Sequence, residues 1–361
     1  MARLNGPAAL LSVALTLGMN LERAAAEPRG AVFSNPLYPG ADPWIIQRDG
    51  WYYLCKSQSR SIEVWKSRSL VDRGERSFVW TAPRRAWNSA EIWAPELHYL
   101  QGRWYIYYAA SSGSNETHRM GVLESKTDDP QGQYVDKGML YTGDEVASQR
   151  NNRWAIDGTV MELQRQLYFL WSGWEDHRDI QHLYIARMEN PWTISSNRVR
   201  LSPNDDYVWE RVGEDQRQRG LHEGPAILKR NGRIFLVYSC SGSWEATYKL
   251  GMLYADEKCD PMDPRSWSKL AKPVFQSSRE VFGVGHCSFV QSPDGQEDWI
   301  VYHAKTQRSS GWGRVVRAQK FTWRENGFPD FGAPVASGEA QPMPSNVIGG
   351  AAVPKSAAAM P

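Results

Sequence analysis

Three acids stand in closely similar settings: Asp42 in "GADPW", Asp157 in "AIDGT" and Glu223 in "EGP". Each opens a short apolar stretch that leads through a turn into an aromatic one. One such acid would be an ordinary strand-end turn residue. Three in register are different, because carboxylates gathered in one cavity repel and burying unpaired charge is costly. Two carboxyl groups on opposite sides of a bond, one protonated and one ionised, are the chemistry of glycosidic bond cleavage. A third carboxylate nearby can keep the acid protonated and orient it.

The elements that must position these acids form a repeat. Five segments share one plan: polar residue, short apolar strand, turn, second aromatic strand, then Ser, Gly or Ala. They read "GADPWIIQRDGWYYLCKS" from Gly40, "WAPELHYLQGRWYIYYAAS" from Trp93, "IDGTVMELQRQLYFLWSG" from Ile156, "EGPAILKRNGRIFLVYSCS" from Glu223 and "GHCSFVQSPDGQEDWIVYHA" from Gly285. Their turns carry mostly Gly with Asn or Asp, which suits hairpins. Counted from Asp42, Glu96, Asp157, Glu223 and His286, the separations are 54, 61, 66 and 63 residues. Each hairpin is followed by a further strand pair, such as "IEVWKSRSL" with "SFVW". Five units of four strands describe an all-β fold, the five-bladed β-propeller. A β-sandwich would not require a marker residue to recur at the start of each unit. Recurrence there means five segments converging on one axis, with the acids at a central cavity. The propeller is expected over residues 27–340, with 341–361 as a C-terminal tail.

The chain of 361 residues holds 17 Trp and 16 Tyr, rings that stack on sugars and line pockets. Its 42 basic and 40 acidic residues leave a formal charge of +2, spread too evenly for a polyanion, so no nucleic-acid partner is expected. A Gly-rich phosphate loop, HExxH and paired-Cys zinc spacings are missing from the sequence. His177, His182 and His222 are scattered and read as surface or loop histidines, with His222 turned away from its neighbour Glu223 by strand alternation. Residues 1–26 join Arg3, an apolar stretch from Pro7 to Leu21 and Ala24-Ala25-Ala26, the pattern of a signal peptide. A secreted or periplasmic protein follows. No later segment reaches transmembrane length, so no membrane partner is expected, and the chain reads as a monomer. Cys55, Cys240 and Cys287 sit in apolar strand surroundings that favour buried free thiols. A disulfide among them and Cys259 stays open.

"GADPW", "WAPE", "AIDGT", "EGP" and "GHCSF", in this order and spacing, resemble glycoside hydrolase family 43 over essentially the whole mature chain. Each motif alone is weak; five in order are specific. The resemblance implies a five-bladed propeller that inverts anomeric configuration. It makes Asp42 the general base, Glu223 the general acid and Asp157 the residue that tunes the acid's pKa. It offers Trp93 as a sugar-stacking aromatic, although Trp93 could equally pack between blades, and leaves Glu96 structural, hydrogen-bonded to backbone near the axis. His286 matches a histidine at the propeller centre, where it would contact the substrate or orient Glu96. No metal is required for the chemistry, but room is left for a structural calcium near His286. Arg317 is preferred over Arg314 as the arginine that reaches sugar or carboxylate, and strand alternation lets only one of them point inward. "WSGW" (Trp171 to Trp174) and "SGSW" (Ser241 to Trp244) are expected in loops, where Trp174 or Trp244 would wall a subsite. "NET" at Asn115 is a glycosylation sequon in a host that uses one.

The longer stretches, among them "IWAPELHYLQGRWYIYYAA" and "RAQKFTW", look most like exo-acting α-L-arabinofuranosidases acting on arabinan or arabino-oligosaccharides of plant origin. A β-xylosidase or endo-arabinanase of the same family stays open, as does a noncatalytic carbohydrate-binding propeller. Loss of a catalytic carboxylate would favour the last, and all three are present.

Overall fold

The computed structural model describes residues 31–176 and 179–346. The leader at 1–26, the end of the tail and His177 therefore lie outside the described residues. What is described is almost wholly β, arranged as five antiparallel sheets in chain order. Blade one is Trp44–Arg48, Trp51–Gln58, Ser61–Ser67 and Glu75–Thr81; blade two is Ala90–Leu100, Arg103–Ser111, Arg119–Ser125 and Tyr134–Met139. Blade three runs Ala155–Leu163, Gln166–Trp174 and Gln181–Asn190, with two short strands on its outer side. Blade four is His222–Arg230, Arg233–Cys240, Lys249–Asp256 and Ser268–Lys269.

Blade five departs from the simple repeat. Its own segment supplies Phe282–Gln291, Asp298–Lys305 and Arg314–Trp323, and the outermost place is taken by Tyr38–Pro39 from the other end of the chain. Beside this seam Val32–Ser34 pairs with Ala340–Pro342. Ser345 bonds Glu297 and Asp294, so the paired structure runs a few residues past the expected boundary at 340.

The second strands are buried along nearly their whole length, as in "RWYIYYAAS", because blades cover both of their faces. The core accordingly divides into five apolar clusters among the described residues, one between each pair of neighbouring blades. Burying one Ile106-sized side chain there contributes about 2 kcal/mol. Cys55, Cys240 and Cys287 are buried free thiols, and Cys259 is free and half-buried. Trp171 to Trp174 are strand, not loop: Gln166–Trp174 pairs with Gln181–Asn190 out to Trp174 opposite Gln181. His182 and His222 are buried rather than superficial.

The inner strands do not run straight. Asp42 (φ 50°) stands just ahead of the first, and Ala94 (39°), Asp157 (54°), Gly224 (53°) and His286 (45°) interrupt the other four. At each of those four, pairing with the second strand skips. A bulge re-aims the side chains around it, here toward the axis. Left-handed backbone at four non-glycine residues costs about 1–3 kcal/mol each, held in place by the packed blades. The fivefold position is thus Asp42, Ala94, Asp157, Gly224 and His286. Glu96 is not the counterpart of Asp42; it lies further along its strand, buried, and takes His98 Nε2 at 2.9 Å rather than backbone.

Candidate active site

The left-handed residue Asp42 ahead of blade one and the bulges at Asp157, Gly224 and His286 deliver Asp42, Asp157, Glu223 and His286 to one cavity of about 500 Å³, which Trp93, Trp154, Trp244, Trp312 and Arg314 also line. Polar residues complete its wall: Asn115 of the sequon, Gln181, Ser243, and Asp179 with Arg219, which are paired at 2.5 Å.

Asp42 is surrounded by cationic or hydrogen-bonding partners. His286 Nδ1 lies 3.2 Å from Oδ1, Arg314 Nη1 3.4 Å and His303 Nδ1 3.2 Å. Burial alone would raise this carboxyl, but His286, Arg314 and His303 together outweigh it and hold Asp42 well below the usual carboxylate range. His303 Nδ1 also lies 3.2 Å from the Asp42 backbone nitrogen, and one neutral imidazole nitrogen cannot both donate and accept. Burial pushes His303 down to about 4, so it is neutral. Placing its proton on Nδ1, toward the carboxylate, leaves only a lone pair at the buried, unpartnered Nε2, which costs less than an orphaned N–H.

Glu223 is in the opposite condition. It is 6% exposed; Oε1 accepts from the Tyr248 hydroxyl at 2.8 Å and Oε2 from the Gln181 amide at 3.1 Å. Burial raises its pKa, with added repulsion from Asp42, and the two hydrogen bonds and His286 only temper that rise. Asp157 is raised as well, by burial first, against His286, with Glu223 and Asp42 repelling it. Its Oδ2 accepts from the Gly224 backbone N–H at 3.0 Å. One carboxylate held ionised thus faces two whose pKa values are pushed up by burial and by the repulsion of neighbouring carboxylates. A water beside Asp42 and a bond beside Glu223 are what such a pair can act on.

Trp93 lines the cavity and stacks on His118 at 3.9 Å. Two expectations are corrected. Trp174 does not line the cavity; it stacks face to face behind Trp154, at 4.5 Å and 10°. Arg317 points away from the axis and spends its guanidinium on Val335 O and Ser337 Oγ. The register explains it: Arg317 pairs with Tyr302, which belongs to the cluster between blades four and five, whereas Arg314 pairs with Lys305 on the face of His303 and Asp42. His286 Nδ1 is turned to Asp42, and among the described residues no group of three or more His, Cys, Asp or Glu is arranged to hold an ion. Trp154, Gln181, Arg219, Tyr248 and His303 carried no motif. A lone histidine in "VYHAK" on an apolar strand was the only hint of His303.

A five-bladed propeller with opposed carboxyl groups on its axis defines a class of glycoside hydrolase. The description of Glycosyl hydrolases family 43 matches residues 33–329, and the chain belongs to that family. It is 34% identical over 331 residues to "Alpha-L-arabinofuranosidase 43" of Humicola insolens, covering 87% of this chain and 66% of that protein, so it spans about two thirds of that relative's length. It is 37% identical to the "Extracellular exo-alpha-(1->5)-L-arabinofuranosidase" of Streptomyces chartreusis, over 78% of this chain and 85% of the relative. Among solved structures, an alpha-L-arabinofuranosidase from Lactobacillus brevis superposes with a TM-score of 0.77 at 35% identity, covering 85% of this chain and 98% of that one.

Proposed function

We propose that the chain is a secreted exo-acting α-L-arabinofuranosidase that removes terminal arabinofuranosyl units from arabinan or arabino-oligosaccharides with inversion. The observation that carries the reading is the contrast, in one aromatic-lined cavity, between Asp42, which His286, Arg314 and His303 contact within 3.4 Å and hold low, and Glu223, whose pKa burial pushes up. Asp42 takes a proton from water as its oxygen attacks the anomeric carbon. Glu223 gives its proton to the departing glycosidic oxygen, and Asp157 opposes early loss of that proton by its charge. The choice of arabinofuranose rests on the names of the relatives, and export on the extracellular relative and the leader-like N-terminus.

The test is hydrolysis of 4-nitrophenyl α-L-arabinofuranoside and linear 1,5-arabino-oligosaccharides, with 4-nitrophenyl β-D-xyloside alongside, by wild type and Asp42→Ala. Arabinose release by wild type, cut about 10²–10⁴-fold or more in the variant, is expected. Xylose release in its place, or no turnover of any glycoside, would overturn the reading.

A further inference from the structure

Glu223 sits at the end of a hydrogen-bond chain whose direction is fixed at its origin. The backbone N–H of His286 donates to Ser239 Oγ at 2.8 Å. A backbone N–H can only donate, so the Ser239 hydroxyl is free to turn its own proton toward Tyr248, whose pKa it lowers against the rise from burial. Tyr248 in turn gives its proton to Glu223 Oε1 at 2.8 Å. The tyrosine is fully buried, and its ring is fixed from two directions. His303 lies parallel to it at 5.4 Å and 8°. It also presses on Gly285, where an added Cβ would come within 2.3 Å of the ring. The His303 ring that steadies Tyr248 also touches Asp42.

We propose that Tyr248 is a positioning residue for Glu223, aiming the acid and stabilising the carboxylate that forms as its proton leaves. This inference rests on Glu223 being the general acid. With Tyr248 on Oε1 and Gln181 on Oε2, the transferable proton is confined to a lone pair those bonds leave free. A donor to a carboxylate becomes stronger as negative charge develops on it, so the Tyr248 bond is worth more in the transition state than before it. Poor leaving groups, which need the proton most, depend on it most.

Tyr248→Phe keeps the ring, the stacking on His303 and the contact with Gly285. Relative to wild type, kcat on linear 1,5-arabinobiose is expected to fall on the order of tenfold to a hundredfold, a part of what general acid catalysis supplies. Turnover of 2,4-dinitrophenyl α-L-arabinofuranoside, which needs little protonation, should change less than about threefold. The basic limb of the kcat/KM profile should move to higher pH, because the lost donor favoured the ionised acid. Ser239→Ala should move all three readouts the same way by less, and it carries the test if thermal melts show that Tyr248→Phe does not fold. Equal losses on both substrates with an unmoved limb would reduce Tyr248 to a packing residue and overturn the inference. Glu223→Ala run in parallel separates the two levels: if it too loses both substrates equally, the acid assignment has failed and the positioning role with it.

Discussion

The backbone N–H of Gly224 donates to Asp157 Oδ2 across 3.0 Å, so the third acid grips the chain beside Glu223 while its charge acts through space. The two actions are separable. Asp157→Asn keeps an oxygen for the Gly224 N–H and removes the charge. Glu223 then loses a repelling neighbour and gives up its proton more readily, which moves the basic limb of the activity profile to lower pH. Asp157→Ala removes the anchor as well, and kcat on arabinobiose should fall further than in Asp157→Asn, by about tenfold or more. Matched pH profiles of the two variants check this.

The two arginines of the last long strand should part company. Arg314→Ala withdraws a cation 3.4 Å from Asp42, so the carboxyl protonates more readily and the acidic limb of kcat/KM moves up in pH. Arg317→Ala should leave that limb where it is. It gives up the bonds to Val335 O and Ser337 Oγ and costs about 1–3 kcal/mol of stability, read from urea unfolding.

Behind the acid's strand lies a second buried cluster, in which Glu210 Oε1 accepts from His222 Nε2 at 2.8 Å, Tyr238 at 2.8 Å and Lys269 at 2.9 Å. Burial would raise Glu210, yet His222 and Lys269 overcome it and bring the carboxyl down to about 2 from 4.5. A depressed carboxyl stabilises the fold above its unfolded pKa and loses that contribution as pH falls through the folded one. The wild type should therefore lose about 3 kcal/mol from this group between pH 4.5 and 2. Glu210→Gln should be less stable at pH 6, and its unfolding free energy should depend less on pH across that window.

The blades were legible because each repeats one hairpin, and hairpin chemistry is local: alternating aromatic strands around Gly, Asn or Asp turns. The three acids were legible because their motifs sit at the left-handed turn before blade one and at the bulges of blades three and four. What escaped was whatever depends on which strand lies opposite. Arg314 and Arg317 are equally plausible by alternation, and only pairing with Lys305 or Tyr302 decides between them. Trp174 looked like a loop aromatic because "WSGW" resembles a turn, yet burial against the third strand of its blade keeps it extended. The marker count slipped in two blades, by two residues in blade two, where Glu96 stood in for Ala94, and by one in blade four, where Glu223 stood in for Gly224, since a positive φ leaves no mark on an alanine and an acid draws the eye first. Tyr248 came to the acids from the residue just ahead of the third strand of blade four and His303 from the second strand of blade five, a meeting that no local pattern encodes.

The outermost strand of blade five comes from the start of the chain, and Asp42 follows it by three residues. Gly40 N–H bonds Arg314 O, and the Asp42 carboxylate reaches His303 and Arg314, all on blade five, while the chain continues from it into blade one. The carboxylate proposed to activate water is therefore also the clasp of the ring. Were the ends to unfasten, hydrolysis would stop while most blades still stood, so catalysis itself reports whether the circle is shut.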